Sequence, residues 1–155
     1  MIRKVDDPPI LICYDGSADA ARGIEAAAAL FGAGRAVVLN VAVPLTAAES
    51  VAVVSPVAPA AAFEQVNTDE ADTVAARGAE LAWASGFQAE ARTILETPTW
   101  QAVVDVANEV DAAAIVIGSR GLDQLHEAFE GSLSHQVTAH AGQPVLVVPP
   151  PHNER

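Results

Sequence analysis

The chain carries a single lysine and a single cysteine, few aromatic residues and no long uninterrupted apolar run. Lys4 stands apart from every glycine-rich segment, so the G-x4-G-K-[S/T] loop of the P-loop nucleotide hydrolases is excluded. Cys13 alone cannot close an internal disulfide, and the N-terminal MIRKVDDPPI has no long apolar stretch behind its basic residues; both point to a cytoplasmic setting. Prolines and polar residues interrupt every apolar region before it reaches the roughly 18 residues that a membrane-spanning helix needs. Cations are scarce too. Eight Lys and Arg against twenty Asp and Glu leave a net charge of −12, which opposes nucleic acid and anionic membrane as partners. A metal centre finds no support either: His126, His135, His140 and His152 form no compact ligand set with Cys13.

What is present suits one α/β domain over residues 1–155, with a core of about 8–149 and a C-terminal tail, 150–155, expected to be disordered. Short apolar runs alternate with Ala-rich segments, the pattern of parallel strands joined by crossover helices. Strands are expected at 10–14, 36–43, 88–94, 112–117 and 144–148. The first, fourth and fifth are nearly continuous apolar runs, as interior strands covered on both faces would be, whereas 88–94 alternates like an outer strand. Helices are expected at 18–33, 63–86, 98–110 and 132–141. In the third, Thr97 is placed to cap, Pro98 suits the first helical position, and Trp100, Val103, Val104 and Ala107 share one face directed at the core. Segment 44–63, with Pro44, Pro56 and Pro59, reads as a long loop, either a tolerated insertion or a flap near a ligand.

In an open, doubly wound sheet of order 3-2-1-4-5 with helices on both faces, ligands gather beyond the carboxyl ends of strands one and four, where the chain order reverses. The loops there are 14-YDGSADA-20 and 118-GSRG-121, and both put glycine beside small polar residues. Gly118 can let the chain turn off its strand, and Gly121 can let an anion approach main-chain N–H groups. Gly131 and Ser132 open the next helix, whose unpaired amides attract negative charge, with Ser134 close by. Arg120 is the only cation of 118–132, a candidate phosphate contact or a solvated loop residue. Turn and cap duty remains an alternative for the glycines. Asp15 would repel phosphate, so it either meets ribose hydroxyls or a base edge, or caps the helix that starts near Ser17.

The sequence resembles the universal stress protein family, in its ATP-binding subclass. Gly118, Gly121, Gly131 and Ser132 match that family's G-x2-G-x9-G-[S/T] signature in register, and ILICYDGS, DAAAIVIGSRG and HAGQPVLVVP resemble its first strand and loop, its fourth strand and its closing strand. The resemblance implies a Rossmann-like fold of the adenine nucleotide alpha hydrolase type, with strand order 3-2-1-4-5. It implies adenosine near Asp15 and Val41, and ATP (or ADP or AMP) phosphates on Gly118, Ser119, Gly121, Gly131 and Ser132. It also implies Mg2+ or Mn2+ travelling with the nucleotide, and a homodimer formed through 144–148. One departure is electrostatic: Asp123, Glu127 and Glu130 occupy the nine-residue span with no lysine. Facing the site, each would oppose a triphosphate by about 1 kcal/mol.

The expected function is therefore an adenine-nucleotide-responsive regulatory dimer of a stress response, with slow ATP hydrolysis at most. One alternative is a dimeric interaction protein that the acidic loop keeps free of ATP. A weaker one is an ATP pyrophosphatase-like enzyme, whose S-G-G-x-D-S loop 14-YDGSAD-19 echoes only faintly. A receiver-type phosphoacceptor lacks its acidic pair and lysine here, and a flavodoxin-like carrier would want hydroxyls where Asp15 stands. Cys13, inside an apolar strand, reads as a small hydrophobe rather than a nucleophile.

Overall fold

A computed structural model of the protein describes residues 7–42, 60–95, 98–119 and 133–151, with the backbone alone at 60–67. Five strands, β1 (Ile10–Cys13), β2 (Arg35–Ala42), β3 (Gln88–Leu95), β4 (Ala114–Gly118) and β5 (Val145–Val148), form one parallel sheet in the order β3-β2-β1-β4-β5. Four helices connect them: α1 (Ala18–Phe31), α2 (Ala60–Ala84), α3 (Thr99–Glu109) and α4 (Leu133–His140). The expected fold class and strand order are those observed. None of these helices is long and apolar enough to cross a membrane.

The period of two along each strand divides the core into two layers. Leu11, Val37, Leu39, Val41, Ile115 and Ile117 point to one side and meet α3 and α4 through Val103, Val106, Leu133 and Val137. Ile10, Ile12, Ala36, Val38, Ala114 and Val116 point to the other and meet α1 and α2 through Ile24, Ala27, Ala79 and Ala82. Every residue of β4 is buried, which explains why its sequence is apolar throughout instead of alternating. Side chains such as Ile12, Leu11 and Ile115 each contribute about 1.5–3 kcal/mol by leaving water.

Element ends depart from the sequence expectation where local chemistry decides. Helix α1 stops at Phe31, not 33, because Gly32 takes φ +68° and donates its amide to Ala28 O at 3.0 Å. Helix α2 begins at Ala60, inside the stretch expected to be loop, where the strong helix formers Ala60, Ala61 and Ala62 follow Pro59. Pro98 is the N-cap of α3 and not its first residue. The remainder of the 44–63 segment, Thr97 and the tail beyond 151 lie outside the described residues. Trp100 packs against the core as expected, and its ring also stacks on His140 with centroids 4.3 Å apart. His140 is the last residue of α4 and its Nδ1 lies 2.8 Å from Gln136 O.

The two edges of the sheet are unlike. Gln88 N–H bonds Gly34 O towards β2, so the polar groups of the next residue, Ala89, point outward. Trp83, itself 59% exposed, covers that edge and donates its indole N–H to Ala89 O at 2.9 Å. Arg92 on β3 is held by Glu109 of α3 at 2.6 Å. On β5, Pro144 O and Val148 O accept from Ile115 and Ser119 of the β4 side, which leaves Val145 and Val147 facing outward with their main-chain groups.

Asn40 is the only buried polar residue among the described ones, and its side-chain N–H donates to Ala71 O at 3.0 Å, tying β2 to α2. The side chain satisfies itself inside an apolar layer and also fixes where α2 crosses the sheet. Asn40→Ala is expected to lower the free energy of unfolding by about 1–2 kcal/mol, read as a lower urea midpoint at unchanged slope.

Candidate functional site

Helices α1 and α2 lie on one face of the sheet and α3 and α4 on the other, so the chain diverges between β1 and β4. At the carboxyl ends of these two strands an open hollow is lined by Cys13, Tyr14, Asp15, Ala20, Leu39, Val41, Val103, Ile117, Gly118 and Leu133. It stands where the topology places a ligand. Asp15, Val41 and Gly118, nominated from sequence, are brought together here.

The Asp15 wall is built by a short chain of hydrogen bonds. Gly16 takes φ +86°, a conformation that strains any residue with a side chain, and it folds the loop so that Asp15 Oδ1 accepts from Ser17 N–H at 2.9 Å. Ser17 is the N-cap of α1, its Oγ accepting from Ala20 N–H at 3.1 Å. The expectation that Asp15 serves the helix start is thus met through Ser17. One carboxylate oxygen is engaged and the residue still lines the hollow.

The β4 wall depends on a missing side chain. A Cβ on Gly118 would lie 3.0 Å from both the carbonyl carbon and the oxygen of Asp19, and 3.3 Å from Ala20 N, all main-chain atoms that cannot move aside. Gly118 is the last residue of β4 and has no positive φ, so it permits close approach of the α1 N-terminus and not the turn expected from sequence. Ser119 follows with its amide spent on Val148 O at 2.9 Å, while its Oγ is buried without a partner. Ser134 is in the first turn of α4, beside Leu133 of the hollow. Arg120, Gly121, Gly131 and Ser132, with the acids Asp123, Glu127 and Glu130, lie outside the described residues.

Among the described lining residues Asp15 carries the only carboxylate, and no lysine, arginine or histidine is present. The remaining walls are chiefly apolar, which suits a flat ring system, while Asp15 supplies an acceptor for a hydroxyl or amine. No group of three His, Cys, Asp or Glu able to hold a metal occurs among the described residues. Sequence reasoning missed Cys13, Tyr14, Leu39, Val103, Ile117 and Leu133 as lining. Their apolar runs signalled core, and only the folded arrangement of their elements brings them to the wall of the hollow.

Burial pushes the Cys13 thiol from its ordinary 9.0 up to about 12, and the Asp15 carboxylate adds to the rise. A neutral thiol is a poor nucleophile, so Cys13 contributes surface and not chemistry. Alkylation of the native protein by iodoacetamide at pH 8.5 is expected to be at least about a hundredfold slower than that of the urea-unfolded chain. The stability supplied by the un-ionised thiol is complete below pH 9.0 and is lost as pH rises towards about 12. Cys13→Val is expected to flatten that part of the stability profile.

Residues 8–149 match the model of the Universal stress protein family. The fold is shared with a universal stress protein from Archaeoglobus fulgidus, 24% identical over 92% of this chain and 98% of that one, with a TM-score of 0.65. The universal stress protein from Archaeoglobus fulgidus in complex with dAMP aligns at 22% identity over 92% and 98%, with a TM-score of 0.61. A universal stress protein family protein from Arabidopsis thaliana with AMP bound aligns at 14% identity over 96% and 95%, with a TM-score of 0.62. No curated protein sequence is similar enough to this chain to match it.

Proposed function

We propose, since this chain belongs to the universal stress protein family, that it is an adenine-nucleotide-binding regulatory protein of a stress response. Adenosine occupies the hollow beside Asp15 and Val41. The phosphates extend over Gly118 and Ser119 towards Arg120, Gly121, Gly131 and Ser132, near Ser134, with Mg2+ or Mn2+ accompanying ATP or ADP. The observation that carries the reading is the lining of the hollow at the point of chain divergence, with apolar walls for a base and one carboxylate for ribose hydroxyls. Complexes of similar folds with AMP and dAMP support the ligand class. Hydrolysis needs a group to orient water and charge to stabilise the displaced phosphate; the described lining offers no histidine or cation, so at most slow ATP turnover is proposed. A second reading, a dimeric interaction protein without nucleotide, is favoured by one contact: the Ser119 amide already serves Val148.

Calorimetric titration of the protein with AMP, ADP, ATP and cyclic AMP, with and without Mg2+, separates the two. Binding of at least one nucleotide below millimolar concentration is expected; silence at millimolar ligand leaves the second reading. Asp15→Asn keeps an oxygen for the Ser17 amide while removing the charge, so its melting temperature is expected to stay close to that of the wild type while AMP binds roughly tenfold more weakly.

The homodimer belongs to the same proposal and is assigned to β5. The β3 edge is covered by Trp83, whereas the outward main-chain groups of Val145 and Val147 lie on a short apolar strand, with Val147 38% exposed. Val147→Pro deletes one outward N–H and spares the bonds to β4. It is expected to turn a sedimenting dimer into a monomer; an unchanged dimer places the contact elsewhere.

A further inference from the structure

A phosphate entering the crevice would meet no cation among the described lining residues, and the chain as a whole repels anions. One turn into α1, however, stands Arg22. Helical side chains lean towards the N-terminus of their helix, and Arg22 follows the rule: its Nη2 donates to Asp19 Oδ1, one turn back. That turn is the one whose backbone touches Gly118 at the end of β4. The pair is not a solvated surface bridge, for the Arg22 and Asp19 side chains are only 29% and 13% exposed.

Among the described residues, two polar atoms on the elements that meet here, α1 and the end of β4, are buried without partners. One is Arg22 Nε, a charged donor; the other is Ser119 Oγ, on the residue next to Gly118. Buried polar groups are nearly always hydrogen-bonded, so these two exceptions, on the two elements that meet at Gly118, call for partners that the described residues do not supply. A guanidinium N–H and a hydroxyl are both phosphate-binding groups.

Resting on the nucleotide reading above, the structure assigns to Arg22 the role of cationic phosphate contact, neutralised by Asp19 until an anion takes its place. Asp19, whose main chain touches Gly118, holds the guanidinium and keeps it from being an unpaired, largely buried charge. An arriving phosphate displaces the carboxylate, accepts from Arg22 and receives the Ser119 hydroxyl. Affinity then depends on the ligand's charge through Arg22 and on its nucleoside through the hollow.

The test compares adenosine, AMP and inorganic tripolyphosphate on the full-length wild type, Arg22→Gln, Arg22→Lys and Asp19→Asn, with a thermal melt of each to establish folding. Arg22→Gln is expected to lose roughly tenfold in AMP affinity with adenosine unchanged, Arg22→Lys to recover part of the loss, and Asp19→Asn to gain about threefold for AMP. Equal AMP binding by Arg22→Gln and wild type overturns the assignment, as does a parallel loss of AMP and adenosine, which would make Arg22 a wall of the hollow. Tripolyphosphate binding that disappears in Arg22→Gln, with no adenosine bound by the wild type, upholds the assignment and removes the adenine reading. A wild type that binds none of the three overturns both.

Discussion

Helix α1 meets the sheet at the crevice through a main-chain contact against Gly118, and the β4 wall of the site depends on it. Main-chain atoms of Asp19 and Ala20 come so near the end of β4 that no side chain fits between them. The first turn of α1 is thereby fixed over the point where the chain diverges, and the Asp15–Gly16–Ser17 loop that enters the helix is fixed with it. Were α1 to lie farther out, as a Cβ would require, Asp15 and Ala20 would move off the β4 side and the hollow would open into a shallow groove. The glycine thus acts through the packing of a helix, and its effect on a ligand is carried by residues of a different loop.

The electrostatics of the crevice are restrained for a protein with a net charge of −12. Most of that charge is spread over exposed positions, where salt screens it beyond about 8–10 Å. Locally, the thiol stays neutral, one carboxylate is occupied on one oxygen by a backbone amide, and Arg22 of α1 is held by Asp19. Neutral dipoles and a paired cation let these walls fold without an exposed positive cluster among the described residues.

How much of this could be read from the residues varies with the kind of interaction. β1 and β4 were legible because burial on both faces forces an unbroken apolar run, and β3 because an edge strand alternates. That Asp15 and Gly118 line one hollow was legible because topology puts their loops together, whereas Val41 was reached only through the family resemblance. The reason for Gly118 was not, since close packing against a helix and a tight turn favour the same residue. Nor was Asn40 visible: an asparagine in an apolar strand does not announce which distant carbonyl it will reach, and Ala71 is contributed by another element altogether. The Asp19–Arg22 pair had a local signal, opposite charges three apart at a helix start, but that spacing normally marks a solvated face, and only the burial of the two side chains sets it apart. Helix α2 was misjudged at its start because three prolines outweighed the alanines that follow the last of them.

Trp83 limits growth as well as shielding a strand. A parallel sheet with both flanks open can recruit neighbours indefinitely and propagate into a fibre, because each addition exposes a fresh flank. An indole bonded to the first outward carbonyl of one flank obstructs a newcomer at that end of the strand. A hydrogen bond far from the crevice thereby disfavours open-ended growth of the sheet on that side.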